Sequence, residues 1–379
     1  MSLFKLGLLY SFISLIFPIV SRAEFLNGGW SLTSSLPIAT ANHKSTIFNT
    51  NIYLFGGSAS NAIPNRLFTN KLPSGELNTW GNLNSVNNVY YWQAIASRDN
   101  FFYLIGGQSW PSSVSNNEVY LGYFESNGQV NGWNLLNTIP KILSKSEAVI
   151  IGDWLYVAGG FSSYGNITGT LNNQVYKAKI GVDGSLGSWD VAGTMPNGLC
   201  CFGLVAKSNK LIFMGGWKPG GDGTVDVYSA TVDPISGNLS NWDQSLPDLP
   251  EGMRSFAYVQ TDEGVMTLGG YSNNAGWLNS VYFAEFDNSG NTKNWVKSNY
   301  SLPKKTVDAT AVKVGEYIYF IGGHAGDYTT NVLKTKYIPP PKPTPTKTPL
   351  ILIPGMGASF NTVLLHLGTA TPNENWYLA

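Results

Sequence analysis

The sequence predicts an all-β protein made of six similar units, and two periodic features of the chain carry this prediction. An apolar run that ends in a pair of glycines occurs six times, with the second glycine at Gly57, Gly107, Gly160, Gly216, Gly270 and Gly323. A tryptophan precedes the first glycine of each pair by 26 or 27 residues, at Trp30, Trp80, Trp133, Trp189, Trp242 and Trp295. A period of 50 to 56 residues with four short apolar segments per unit is typical of a β-propeller. The expected fold is therefore a six-bladed β-propeller.

Each unit contains four segments with the pattern of short strands. The glycine-pair segment, as in residues 317–323, is apolar without alternation, which is expected of a strand covered on both faces. An apolar strand precedes it across a tight turn, and a strand with Val beside an aromatic residue, such as Val175-Tyr176, follows it. A turn with glycine, such as Asp183-Gly184, then leads to the tryptophan, and Asp-Gly supplies the positive φ that tight hairpin turns require.

The periodic glycines and tryptophans are expected to have structural roles. Glycine lets the backbone turn sharply or approach a neighbour without a Cβ clash. A tryptophan in the outer strand offers a large ring for the wedge between two blades, which widens with radius. Ligand contact is the alternative for these tryptophans, and packing between blades is the favoured interpretation.

The two ends of the repeat array predict how the ring closes. The array starts with a tryptophan segment at Trp30 and ends with a strand at residues 331–338, so the sixth unit lacks its own tryptophan strand. We expect residues near 28–33 to supply the outer strand of the last blade, which removes exposed strand edges.

Residues 24–338 resemble the kelch-type propellers of secreted bacterial proteins. The resemblance lies in the glycine pairs, the Val-Tyr strands and the turns that place glycine four or five residues before tryptophan. The resemblance implies the six-bladed kelch fold. The chain departs from the kelch pattern at the arginine that usually precedes the inner strand, which is matched once, at Arg254.

Residues 1–23 have the pattern of a secretory signal peptide. Lys5 precedes an apolar stretch at residues 6–20, and small residues, Ser21 and Ala23, flank a cleavage position. Cleavage there predicts a secreted or cell-surface protein with no remaining transmembrane segment. An uncleaved membrane anchor is the alternative.

Beyond the repeats, residues 339–349 form a proline-rich linker, which is expected to be extended. Residues 350–379 resemble the first strand and the following loop of α/β-hydrolases of the lipase and esterase kind. The resemblance implies that Met356 and Gly357 lie in an oxyanion loop. The sequence contains no Gly-x-Ser-x-Gly motif, so we interpret this segment as the truncated start of a hydrolase domain, with an apolar tail as the alternative.

The charges exclude some classes of partner. The 379 residues include 23 Lys and Arg and 23 Asp and Glu, so the formal net charge is zero. A nucleic-acid or anionic-membrane partner would call for a basic excess, which the chain lacks.

No catalytic residue, cofactor or metal site is predicted. Cys200 and Cys201 are adjacent and could join only in a strained ring, so two buried thiols are the favoured interpretation. No histidine or second cysteine pair stands at ligand spacing from them. A copper radical oxidase would need more than the three histidines present, and a sialidase-like site would need an arginine cluster, whereas the chain has four arginines in all.

The loops that follow the glycine pairs are the predicted binding face. They are long, rich in Gly, Ser and Asn, and variable in length, so packing does not constrain them. Their aromatic side chains suit stacking on sugar rings or anchoring of a peptide, although capping of the blade ends is the alternative. The candidate ligand-binding residues are Trp110, Phe161, Tyr164, Trp217, Arg254, Tyr271, Trp277 and His324.

Three functions remain open at this point. The first is an exported, monomeric recognition module for a glycan or protein ligand, tethered to a hydrolase. The second is a propeller-fold enzyme that acts on carbohydrate. The third is a purely structural or adhesive surface protein.

Overall fold

The computed structural model describes residues 24–58, 65–83, 90–109, 114–161, 170–221 and 223–341. The chain divides into two units, Met1–Pro340 and Pro341–Ala379, and all the strands described belong to the first. Trp110, Tyr164, the predicted signal peptide and the hydrolase-like segment with Met356 and Gly357 lie outside the described residues.

The described chain forms six antiparallel sheets of four strands each. The first and innermost strands are β2 (Ala41–Phe48), β6 (Ala94–Arg98), β10 (Ser144–Ile151), β14 (Gly203–Lys207), β18 (Ala257–Gln260) and β22 (Thr310–Val314). The second strands are β3 (Asn51–Ser58), β7 (Phe101–Ile105), β11 (Trp154–Phe161), β15 (Lys210–Met214), β19 (Gly264–Ser272) and β23 (Tyr317–Ile321). The third strands are β4 (Asn65–Asn70), β8 (Val119–Phe124), β12 (Gln174–Lys179), β16 (Val227–Val232), β20 (Gly276–Glu285) and β24 (Val332–Tyr337). The outer strands are β5 (Gly81–Asn82), β9 (Val130–Leu135), β13 (Asp190–Thr194), β17 (Leu239–Asp243), β21 (Val296–Lys297) and β1 (Leu26–Leu32).

The innermost strands contact one another in a closed circle, from β2 through β6, β10, β14, β18 and β22 back to β2. The fold is therefore a six-bladed β-propeller, and the prediction of this all-β architecture is confirmed. None of the described residues forms a helix, so no apolar helix long enough to cross a membrane occurs among them.

The ring closes through the N-terminal strand, as the sequence predicts. Strand β1 pairs antiparallel with β24, so the sheet order of the last blade is β1-β24-β23-β22. Leu26 lies opposite Tyr337 in this pairing, and Leu32 lies opposite Leu333. Because the first and last segments of the array share one sheet, neither end of the ring exposes an unpaired strand to the gap between blades 6 and 1.

The glycine pairs fit each blade against its neighbour. A Cβ on Gly159 of blade 3 would lie 2.5 Å from the carbonyl oxygen of Leu199 in blade 4, closer than real atoms approach. The next amide, on Gly160, donates a hydrogen bond of 2.7 Å to the same oxygen. Both glycines have positive φ, which side chains disfavour. The predicted structural role of the glycines is confirmed here.

The core is divided among the six contacts between blades. The buried apolar side chains form six clusters, and each cluster joins residues of two neighbouring blades. The aromatic pairs Phe55–Phe102 and Phe25–Phe283, with ring centroids 4.9 and 5.1 Å apart, are examples from two of these interfaces. Burial of apolar surface between the blades, rather than one central core, therefore stabilises the ring.

The periodic tryptophans contribute to the same interfaces. The indole N–H of Trp80 in blade 1 donates to the carbonyl of Ser34, which follows the outer strand of blade 6, at 3.0 Å. Trp189 and Trp295 make the corresponding bonds from blades 3 and 5 to the chain that leaves the preceding blade, at 3.2 and 3.1 Å. The indoles thus connect neighbouring blades, which agrees with the packing interpretation.

Candidate functional site

The innermost strands surround an axial cavity of about 390 Å³. All six blades contribute to its walls, and the lining includes charged, polar and apolar side chains. This volume lies within the range of small-molecule pockets, roughly 300–1,000 Å³. The cavity is therefore the reference point for the positions of the candidate residues.

Six backbone hydrogen bonds, one between each pair of neighbouring blades, form a closed ring at the cavity. In each blade, one residue at or just before the innermost strand donates its amide to the carbonyl of the equivalent residue in the preceding blade, at 2.9 to 3.4 Å. All six residues have positive φ and all six line the cavity. We call them the mouth ring: Asn42, Trp92, Lys145, Cys201, Ser255 and Asp308.

Four side chains of the mouth ring form a network. The Trp92 indole N–H donates to Asn42 Oδ1 at 2.6 Å, and the Lys145 ammonium lies 4.4 Å from the centre of the Trp92 ring. Lys145 Nζ is also 3.7 Å from Asp308 Oδ1. Burial alone would lower the pKa of Lys145, but electrostatic attraction, led by the Asp308 carboxylate, outweighs it and raises that pKa. Lys145 therefore stays cationic beside the cavity.

Two to three residues further along the inner strands, three side chains bridge the cavity. Lys44 Nζ lies 2.5 and 2.7 Å from the two carboxylate oxygens of Glu147, and the Tyr258 hydroxyl donates to Glu147 Oε2 at 2.8 Å. The three residues come from blades 1, 3 and 5, which are not neighbours, so these bonds span the channel. Burial and the Glu147 charge raise the pKa of Tyr258, which keeps its hydroxyl protonated as a donor. We call these three residues the channel bridge.

A group of aromatic residues, here named the aromatic rim, begins at Arg254, next to Ser255 of the mouth ring. The Arg254 guanidinium lies 4.6 Å from the centre of the Tyr271 ring, and Tyr271 lies opposite Trp277 in the backbone pairing of β19 with β20. Trp277 meets His324 edge to face at 4.9 Å between ring centres, and His324 meets Tyr328 in the same way at 5.2 Å. These five residues of blades 5 and 6 complete the aromatic rim.

Arg254 stands out among the cations of this region. Among the described residues its guanidinium has no carboxylate partner and no side-chain hydrogen bond, and its Nε is buried without an acceptor. A guanidinium that is half-buried over an aromatic ring and has no counter-charge is a ready partner for an anionic or carbonyl group.

The structure brings together only part of the predicted binding set. Arg254, Tyr271, Trp277 and His324 lie in one connected group, the aromatic rim. Phe161 is fully buried and packs edge-on against Trp92, with ring centres 5.8 Å apart, so it supports the mouth ring instead of offering a free face.

Trp217 belongs to blade 4, which neighbours blade 5 of the aromatic rim. It is half-buried and forms a backbone bridge with Cys200, in which the two residues exchange hydrogen bonds of 3.1 and 2.8 Å. It therefore lies next to Cys201 of the mouth ring.

Sequence reasoning missed the mouth ring and the channel bridge. A usable signal existed for the ring, because each of its residues precedes the second glycine of its repeat by 15 residues. The six residue types differ, so no residue motif marks the position. Lys44 and Glu147 also occupy equivalent positions, each 13 residues before the second glycine of its repeat, but this spacing does not show that the two side chains meet across the channel.

The described residues offer no metal centre, since no group of three or more His, Cys, Asp or Glu side chains is placed to hold an ion among them. His43 is the buried histidine nearest the cavity, and its Nε2 lies 3.1 Å from the carbonyl of Ile321 in blade 6. Burial lowers the pKa of His43 to about 3, so the ring is neutral and joins blade 1 to blade 6.

Comparison with known proteins identifies the fold. No protein-family model matches the chain, and no curated protein matches it either. Among solved structures, the one titled "Structure of YjhT" matches with a TM-score of 0.60 and 17% sequence identity, over 81% of this chain and 95% of that chain. At this level of identity the similarity concerns the fold alone, and what this chain shares with that structure is the β-propeller.

Proposed function

We propose that this protein is a recognition module that binds a glycan or a peptide at the mouth of its axial cavity. The observation that carries the proposal is the aromatic rim, in which the unpaired Arg254 stacks on Tyr271 next to the mouth ring, and Trp277, opposite Tyr271 in the β19–β20 hairpin, contacts His324. Aromatic faces stack on sugar rings or on peptide side chains, and a free guanidinium binds carboxylate or carbonyl oxygens.

The polar groups of the mouth ring suit the same kind of ligand. Asn42, Lys145, Ser255 and Asp308 place amide, ammonium, hydroxyl and carboxylate groups along one end of the cavity. Sugar hydroxyls and peptide groups both donate and accept hydrogen bonds, so a mixed set of this kind matches them. The backbone ring fixes the positions of these groups and reduces the entropy lost on binding.

Binding of purified protein to a glycan array and to a peptide library tests the proposal. For the best ligand, calorimetry on Trp277→Ala and Arg254→Ala should show affinity reduced about tenfold or more, as expected for central aromatic and arginine contacts. Tyr300→Ala is the matched control, because Tyr300 is an exposed aromatic outside the rim and should be replaceable without loss. A folded protein that retains no glycan or peptide contradicts the proposal and favours the structural or adhesive role.

A carbohydrate-modifying enzyme is the second candidate, and one contact speaks for it. Glu147 and Tyr258 form a carboxylate–hydroxyl pair on the cavity wall, a combination used in general acid–base catalysis. However, Lys44 occupies both oxygens of Glu147, so neither oxygen is free for a substrate proton. Turnover of a bound sugar that is lost in Glu147→Gln while binding persists would establish this function in place of pure recognition.

We further infer that the propeller is of the kelch type and that the protein is exported by its N-terminal segment and acts as a monomer. The repeat pattern of residues 24–338 supports the first inference, and the apolar segment after Lys5 supports export. The hydrolase tether remains a proposal from residues 350–379. Cell fractionation with sequencing of the mature N-terminus tests export, and gel filtration tests the monomeric state.

A further inference from the structure

The two cysteines of the chain meet beside the axial cavity. Cys200 is fully buried, and its backbone is held in the bridge to Trp217. Cys201 belongs to the mouth ring, lines the cavity and is half-buried. Both thiols are free, and their sulfur atoms are 3.0 Å apart, in hydrogen-bond contact. The buried Cys200 thiol therefore lies directly behind the Cys201 thiol, which lines the cavity and is accessible from it.

The charges around the pair favour a thiolate on the cavity side. The hydrogen bond from Cys200 lowers the pKa of the Cys201 thiol, burial and Asp308 oppose this, and Lys145 and Arg254 lower it further. Cys200 shows the opposite behaviour, since its bond to Cys201 and its burial raise the pKa of its thiol. A thiolate is the reactive form of cysteine, so the two sulfurs are differentiated.

We propose that Cys200 and Cys201 form a reversible dithiol–disulfide couple that is oxidised through the axial cavity by small-molecule disulfides, with Cys201 as the attacking thiol and Cys200 as the resolving thiol. The proposal does not depend on which ligand the cavity binds. It differs from the sequence-based interpretation, which treated both residues as inert buried thiols.

The reaction balances in two exchange steps. The Cys201 thiolate attacks one sulfur of the small disulfide, forms a mixed disulfide and releases one small thiolate, which takes up a proton from solvent. Cys200 then loses its proton to solvent, attacks the sulfur of Cys201 and releases the second small thiolate. The protein pair loses two electrons and two protons, and the small disulfide is reduced to two thiols.

Geometry indicates that the resulting disulfide is easily reduced. Neighbouring Cα atoms are about 3.8 Å apart, whereas disulfide-bonded residues usually have Cα atoms about 4.4–6.8 Å apart. Strained and accessible disulfides have more oxidising potentials and serve as labile or regulatory bonds.

The test uses the purified full chain, reduced and then exposed to oxidised glutathione, with trapping by N-ethylmaleimide and intact mass spectrometry. The wild type should lose both thiol hydrogens without a stable glutathione adduct, and excess reduced glutathione should restore the dithiol. Cys200→Ser should accumulate one glutathione adduct on Cys201, because the resolving thiol is gone. Cys201→Ser should remain unmodified, because Cys200 is buried.

Two results would overturn the proposal. The first is wild-type protein whose two thiols both remain alkylatable at every glutathione ratio, or which keeps a glutathione adduct that never closes. The second concerns Lys145: in the Cys200→Ser background, Lys145→Met should slow adduct formation about threefold or more, since an adjacent cation favours the thiolate. An equal rate in Cys200→Ser with and without Lys145→Met contradicts the attack by a Cys201 thiolate beside Lys145. Circular dichroism of each variant confirms that the fold is retained.

Discussion

The glycine pairs and the mouth ring occupy equivalent places in all six blades, but they use repetition in opposite ways. Each glycine pair has the same residue type six times, and each first glycine meets a backbone carbonyl of the next blade at a distance that excludes a side chain. The mouth ring has the same backbone conformation and the same hydrogen bond six times, yet its six residue types are all different.

This difference separates positions that packing between blades fixes from positions whose side chains can vary within one repeat. Where the side chain would collide with the neighbouring blade, one residue type is tolerated, and the sequence repeats. Where the backbone alone makes the contact, the side chain is free to vary, and the six positions combine into one asymmetric surface. The predictions below test this separation.

The largest effect is expected where a Cβ meets a neighbouring blade. Gly159→Ala should reduce the free energy of unfolding by about 3 kcal/mol, from the clash with Leu199 O at 2.5 Å together with the positive φ of +63°. Gly152→Ala is the matched control, since its φ is +54° and no atom lies within 4 Å of the added Cβ. Its expected cost is about 1 kcal/mol. If urea denaturation shows equal losses of stability in the two variants, glycine is required at these positions for its positive φ and not for the contact between blades.

The next largest effect on stability is expected for the channel bridge. Glu147→Gln removes the carboxylate from Lys44 and Tyr258 in the channel and should cost about 2 kcal/mol of stability, because a largely buried ammonium loses its partner. Glu316→Gln is the control, because its pair with Lys336 at 2.9 Å is exposed on both sides and should contribute less than about 0.5 kcal/mol. Similar losses in the two variants would mean that the bridge is no stronger than a surface ion pair.

The free energy of unfolding is expected to depend on pH through His43, which joins blade 1 to blade 6. Its pKa is about 3 in the folded protein and near 6.5 when unfolded, so between these values the unfolded chain binds a proton that the folded protein does not. Stability should therefore fall as pH falls through this window, by about 2 kcal/mol from pH 7 to pH 5. His43→Gln keeps a donor for Ile321 O and should lose this part of the pH dependence. If the two proteins show parallel pH profiles in urea unfolding, His43 does not remain neutral in the fold.

The smallest effect is expected for a side chain of the mouth ring. Ser255→Ala should change stability by no more than about 0.5 kcal/mol, since it leaves the ring backbone intact. Ser255→Pro is the contrasting variant: it deletes the amide that donates to Cys201 O at 2.9 Å and forces φ away from +53°. That substitution should cost about 3 kcal/mol or more. A large loss of stability in Ser255→Ala would show that the mouth-ring side chains are needed for folding, and not free to vary.

The candidate site could be predicted from the sequence only in part. The position after each glycine pair was visible, and two of its residues, Tyr271 and His324 in blades 5 and 6, belong to the aromatic rim. Phe161 occupies the same sequence position, but burial against Trp92 removes its face from the surface. Equivalent positions in a repeat share backbone geometry, and their exposure depends on neighbours in other blades.

The sequence by itself determined the number of blades, the strands of each and the closure by β1, because every unit must bury its faces against the next and so repeats the residues that do this. The tertiary structure alone decided the mouth ring, the channel bridge and the meeting of Cys201 with Lys145. These groups come from strands that are 50 or more residues apart and converge only when the ring is closed. Their chemistry depends on that convergence, and the spacing to the glycine pairs marks the positions without showing which side chains meet there.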